Sequence, residues 1–239
     1  MAATMLVLVG FGAISAAVST GSITGAEEGG GPGFGGTDPL SIVLTGANFA
    51  VLLLGVLGCL AGAREYGSGL ITSTVAAVPR RWQVVVAKVA ALAAVVLPSA
   101  LIGVFLAFGA GMATLSMGGG PTISLGDEDV LRSLTGMAFY LTSLAVIGLG
   151  LGVLLRSTAG SIGALVAGIL ILPTIAAGLL PDSWDIVLQY LPSSAAAGFT
   201  AVMSTGTEVL GPAAGVLVLV GWVTIVLGVA TTMIIRRDV

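Results

Sequence analysis

The chain has 239 residues, of which 56% are hydrophobic and only 8% are charged. A soluble globular domain carries about 25% charged residues, so this composition excludes a soluble protein and indicates that lipid solvates much of the surface. The single cysteine excludes an intrachain disulfide, and the absence of histidine removes the commonest metal ligand and general base.

Six apolar stretches are long enough to cross a membrane as helices, since a span needs about 20 apolar residues. The fifth contains Pro173, which removes a backbone hydrogen bond and predicts a kink. The sequence therefore predicts an all-α membrane protein with a single transmembrane domain over residues 1–239. The predicted spans cover residues 1–21, 40–63, 84–112, 133–155, 158–180 and 212–235.

The first stretch does not fit a signal peptide, because no basic residues precede it and its apolar run is long for one. A first span also usually has a basic flank. We therefore expect an upstream basic or amphipathic segment to be missing from the numbered chain.

Acidic and basic residues alternate between the gaps that separate the spans. Lys and Arg are retained on the cytoplasmic side of a membrane, so this alternation predicts six spans with both termini in the cytoplasm. The acidic gaps are 22–39, 113–132 and 181–211, and the basic ones are 64–83, the turn at Arg156 and the C-terminal tail.

The acidic gap 181–211 has a helical pattern of its own. Trp184, Leu188 and Leu191 recur at the spacing of one helix face, and Pro192 then ends the pattern. The gap therefore predicts a short amphipathic helix at the outer interface and a re-entrant or interfacial hairpin. Arg132, in the preceding acidic gap, is expected to pair with a neighbouring carboxylate.

Small residues recur at the spacing that lets helices approach closely within lipid. Gly58 and Gly62 form one pair, and Gly160, Ala164 and Gly168 form a series. Packing within the chain and a seam between two copies both explain this spacing.

Several kinds of chemistry are excluded by missing residues. The only lysine, Lys88, follows Ala87 rather than a glycine-rich turn, so the chain has no Walker A loop. Without histidine there is no serine triad and no His-based zinc protease site. No Asp or Glu lies deep in a span, as a proton relay requires. We therefore predict no enzyme activity and no cofactor in this chain, and an external source of energy.

Three segments resemble the ABC-2 type permeases, the membrane subunits of ATP-binding-cassette exporters. The first is the run Arg64-Glu65-Tyr66, followed by Gly69, TSTVAAVPRR at 72–81 and Lys88. The others are LLRSTAGSIGALVAGILILP at 154–173 and YLPSSAAAGF at 190–199. Together with six spans, the resemblance covers nearly the whole chain.

This resemblance implies a coupling helix between the second and third spans that docks on a separate ATPase subunit. It also implies two ATPase copies that hold ATP and Mg²⁺, a second permease chain that is identical or related, and no nucleic acid. The implied coupling residues are Arg64, Glu65, Tyr66, Gly69, Pro79, Arg80 and Arg81, and the implied outer-hairpin residues are Trp184, Leu188, Leu191 and Pro192.

The expected function is ATP-driven export of an apolar or amphipathic substrate, such as a lipid, peptide or drug, across a bacterial inner membrane. Glu65 has two interpretations, a brace to Arg64 or Arg81 and a direct contact with the ATPase. A non-transporting scaffold or sensor, and an intramembrane enzyme, are the alternatives to a permease.

Overall fold

The computed structural model describes residues 9–10, 40, 43–67, 82–119, 122–179, 185–200 and 210–236, and every regular element within these ranges is a helix. A π-helical turn, Ala167–Ile171, joins the helix Thr158–Val166 to the helix Leu172–Leu179. The helices are α1 Thr45–Gly67, α2 Trp82–Met117, α3 Glu128–Leu155, α4 Thr158–Val166, α5 Leu172–Leu179, α6 Asp185–Leu188, α7 Pro192–Thr200 and α8 Pro212–Arg236.

Five helical stretches are long and apolar enough to cross a membrane. They match the second to sixth predicted spans, so an all-helical protein of the membrane type is confirmed. The predicted span 1–21 lies outside the described residues except for Val9 and Gly10, which are helical. The five stretches are Gly46–Arg64, Trp82–Met117, Asp129–Leu155, Thr158–Ala176 and Pro212–Ile235.

Helix α3 lies at the centre of the described bundle and contacts α1, α2, α4, α7 and α8. In the most apolar 18 residues of α3, 78% are buried, whereas only 17% are buried in the corresponding parts of the Thr158–Ala176 and Pro212–Ile235 stretches. Leu134, Leu141 and Leu144 are fully buried along it. Because lipid is as apolar as leucine, close packing rather than escape from water holds these helices together.

Glycines form the contact between α1 and α3. A Cβ at Gly58 would overlap the carbonyl oxygen of Ala145, and one at Gly152 would lie 2.5 Å from the carbonyl oxygen of Cys59. Gly62 and Gly148 face the partner backbone in the same way. The Gly58–Gly62 pair therefore packs within the chain.

The second small-residue series differs from the first. A Cβ at Gly168 would meet no atom within 4 Å, one at Gly160 would meet only Ser157 of its own turn, and Ala164 is exposed. Gly163, next to Ala164, is also open, since a Cβ there would meet no atom within 4 Å. This face of the α4–α5 stretch is therefore not packed by the described part of the chain.

Three helices extend beyond the predicted spans. Helix α1 continues to Gly67 rather than ending at residue 63, and α3 begins at Glu128 rather than at 133. Helix α2 has 36 residues, a length of about 54 Å, whereas the bilayer core is about 30 Å thick. Charged and polar residues lengthen a helix past its apolar part, which hydropathy alone does not detect.

The disturbance predicted at Pro173 lies one turn before the proline. Leu172 donates its backbone N–H to the carbonyl of Ala167, five residues back, and closes the π-helical turn. Proline has no N–H and its ring clashes with the carbonyl four residues earlier, that of Ile169. The wide turn is a common way for a helix to accommodate such a break.

Candidate functional sites at the two ends of the bundle

The start of α2, the end of α3 and the end of α8 meet at one end of the bundle. Val85, Val153 and Ile234 from these three helices form a buried apolar cluster. Arg64 and Arg156 lie at the same end, since α1 and α3 both finish there. We call this the basic end. The opposite end of α3, which carries Asp127, Asp129 and Arg132, is the acidic end.

Arg156 and Tyr66 contact each other at the basic end. The guanidinium carbon of Arg156 lies 5.2 Å from the centre of the Tyr66 ring. A cation within about 6 Å of an aromatic face is attracted by the electron density of the ring. The contact joins the last turn of α1 to the turn between α3 and α4.

Arg156 adopts a left-handed backbone conformation, with φ 53° and ψ 16°. Its N–H donates to the carbonyl of Gly152 at 3.1 Å and closes α3. Glycine or asparagine usually occupies this position, since a residue with a longer side chain is strained there by on the order of 1–3 kcal/mol. Its Nη2 atom is buried and has no hydrogen-bond partner among the described residues.

Ser157 completes the turn by capping α4. Its Oγ accepts a hydrogen bond of 3.2 Å from the backbone N–H of Gly160. A serine cap satisfies one of the free N–H groups at a helix start and stabilises the helix by about 1 kcal/mol. Two consecutive residues thus end one span and begin the next, with the side chain of the first directed at Tyr66.

The predicted coupling residues are placed only in part. Arg64, Glu65 and Tyr66 belong to the last turn of α1 rather than to a separate loop. Gly69, Pro79, Arg80 and Arg81 lie outside the described residues, as does the side chain of Glu65. The sequence singles out both Tyr66 and Arg156 but does not predict their contact, because only the packing of α1 on α3 brings them together.

The segment after α6 packs along α8. Helix α6 has four residues, α7 has nine, and Leu191 and Pro192 lie at the junction where the sequence predicts a break. Pro192 is buried and Leu188 and Leu191 are half-buried, while Trp184 lies outside the described residues. The Nε1–H of Trp222 in α8 donates to the carbonyl oxygen of Tyr190 at 2.8 Å.

Helices α7 and α8 run antiparallel and in close contact. Gly198 of α7 faces the carbonyl of Leu210, and Gly215 of α8 faces that of Ala195, three residues earlier in α7. Phe199 is buried, and its ring meets that of Phe139 edge to face with centroids 6.3 Å apart. The described part of the predicted hairpin is thus packed against both α3 and α8.

An apolar groove opens beside α7 at the acidic end, with a volume of about 680 Å³. Arg132 contributes a charged group to its wall, and this guanidinium forms an ion pair of 2.7 Å with Asp129, which confirms a carboxylate partner for Arg132. The groove combines apolar surface with a charged margin, as an amphipathic molecule requires. Its wall includes Thr135, Phe139, Phe199, Pro212, Val216 and Leu217.

Metal ligands do not cluster in the part of the chain that the structure describes, where no group of three or more Cys, Asp or Glu side chains could hold an ion. The chemistry that the two ends offer is therefore cation–ring attraction, ion pairing and apolar contact.

No family model, no curated protein and no solved structure matches this chain.

Proposed function

We propose that this chain is the permease subunit of an ATP-binding-cassette exporter, with ATP hydrolysis in a separate subunit. One observation carries the proposal. Tyr66 and Arg156, which belong to two of the segments that resemble ABC-2 type permeases, meet at the basic end. A protein driven by a cytoplasmic ATPase needs such a junction between its spans on the side where that ATPase docks.

The proposed topology has six spans, with residues 1–21 as the first. The basic end faces the cytoplasm, because basic residues are retained there, and both termini lie on that side. A coupling helix lies within residues 64–81, and the segment 181–211 forms a re-entrant hairpin at the outer face. The packing of α7 along the first half of α8 supports the hairpin. The membrane is the inner membrane of a bacterium.

The proposed cargo is an apolar or amphipathic molecule. The groove at the acidic end supports this class, since Phe139, Phe199 and Val216 offer apolar contact and Arg132 offers charge at the margin. A second permease chain, identical or related, would complete the pathway, and two ATPase subunits would drive it.

Purification of the native complex tests the proposal. The chain is tagged, extracted from its own membranes in a mild detergent and analysed by mass spectrometry for proteins that carry Walker motifs. We expect one ATPase species in stoichiometric amount, and ATP hydrolysis that is abolished when its Walker A lysine is replaced. A stable chain without any ATPase would favour a scaffold or sensor.

A further inference from the structure

We propose that Arg156 is a positioning residue that holds Tyr66, in the last turn of α1, against the turn between α3 and α4. The inference deepens the proposed function and rests on it where it concerns the transfer of movement from an ATPase. Its structural part, the fixing of Tyr66 by Arg156, is independent of any partner.

The backbone at residue 156 gives the first reason. A left-handed φ of 53° favours glycine, so the turn itself gains nothing from an arginine. The arginine side chain nevertheless reaches the face of Tyr66, 5.2 Å away. What distinguishes arginine from glycine at this position is therefore the contact with the ring.

The glycine contacts next to Tyr66 and Arg156 give the second reason. Gly62 and Gly152 lie one helical turn before Tyr66 and Arg156, and each meets the backbone of the opposite helix. A junction of glycine backbones has no side chains that could yield when one helix is displaced. A movement at Tyr66 is therefore passed to the end of α3 rather than absorbed between the helices.

The position of α4 gives the direction of transfer. Ser157, adjacent to Arg156, caps α4 through the N–H of Gly160. Only 17% of the most apolar 18 residues of the Thr158–Ala176 stretch are buried, so few contacts with the described residues oppose its movement. Displacement of the Arg156–Ser157 turn thus reaches one of the two described spans with the least buried surface.

Four single variants of the full complex test the inference. Arg156→Lys keeps the cation and Tyr66→Phe keeps the aromatic ring, whereas Arg156→Gly removes the cation and Tyr66→Leu removes the ring. Glycine suits the left-handed backbone, so Arg156→Gly removes the side chain without straining the turn. The complex is reconstituted in phosphatidylethanolamine–phosphatidylglycerol nanodiscs, and kcat and KM for ATP are measured together with the amount of ATPase retained.

We expect the two conservative variants, Arg156→Lys and Tyr66→Phe, to stay within about twofold of the wild-type kcat. Arg156→Gly and Tyr66→Leu should lower kcat by roughly two- to fivefold, the factor that one cation–ring contact represents, with KM and ATPase retention unchanged. The double variant, Arg156→Gly with Tyr66→Leu, should have a kcat no lower than that of the slower single variant. An unchanged Arg156→Gly, equal losses in all four variants or multiplied losses in the double variant would overturn the inference.

A wild-type chain that purifies with no ATPase would refute the proposed function instead. The contact is then measured on the chain alone, from unfolding midpoints of Arg156→Gly, Tyr66→Leu and the double variant. Non-additive shifts would support the fixing of Tyr66 by Arg156, and additive shifts would overturn it.

Discussion

The indole nitrogen of Trp222 donates a hydrogen bond of 2.8 Å to the backbone carbonyl oxygen of Tyr190. Trp222 lies ten residues after the start of α8 at Pro212, a distance of about 15 Å along the helix. The segment between α6 and α7 is therefore attached to the middle of α8 and not to its tip.

Replacing Trp222 by phenylalanine removes this bond and keeps an aromatic ring. We expect Trp222→Phe to destabilise the protein by about 1 kcal/mol, the net value of such a bond, with increased hydrogen exchange confined to α6 and α7. Trp82→Phe is the matched control, since the indole of Trp82 has no hydrogen-bond partner among the described residues and is 43% exposed. Equal effects of the two substitutions on exchange in α7 would contradict the assigned attachment.

The glycine contact between α1 and α3 predicts a large difference between two small substitutions. A Cβ at Gly58 overlaps backbone of α3, which cannot rotate away, so Gly58→Ala should cost on the order of 1–3 kcal/mol. Gly163→Ala places its methyl group in open space and should leave stability unchanged or raise it by up to about 1 kcal/mol.

Unfolding midpoints in detergent or nanodiscs compare these two variants directly. If Gly58→Ala were as stable as Gly163→Ala, α1 and α3 would not pack as closely as the structure places them. Loss of a dimer on Gly163→Ala, measured by native mass spectrometry, would assign the open face of α4 to a seam between two copies.

The ion pair of Arg132 and Asp129 should contribute little to stability. The two side chains are 41% and 47% exposed, and exposed pairs three residues apart on a helix contribute about 0.5 kcal/mol or less. We expect Arg132→Ala to shift the unfolding midpoint by less than Gly58→Ala does, and the shift to vanish in high salt. A large, salt-independent loss would show that Arg132 supports the groove wall through packing of its apolar stem.

The features predictable from sequence are those that depend on neighbouring residues. Long apolar runs predict the five described spans, because a helix in lipid satisfies its own backbone. The carboxylates just before Arg132 predict an ion pair, but the sequence does not decide among Asp127, Glu128 and Asp129. The contact of Tyr66 with Arg156 depends on how two distant helices pack. Spacing marked Gly58 as a packing residue, but it did not identify Ala145 as the partner.

The orientation of the bundle is the last testable consequence of the charge pattern. Leu125 and Leu155 are both exposed and lie near opposite ends of α3, 51% and 43% accessible. The native Cys59 is fully buried, so the wild-type chain serves as the unlabelled control without further substitution. We expect a membrane-impermeant maleimide to label Leu125→Cys in intact cells, and Leu155→Cys only after permeabilisation. The physical reason is that basic residues are retained on the cytoplasmic side, which predicts that side for Arg64 and Arg156. The reverse labelling would invert the protein in the membrane, place the Arg156–Tyr66 contact outside the cell and remove it from the reach of any cytoplasmic ATPase.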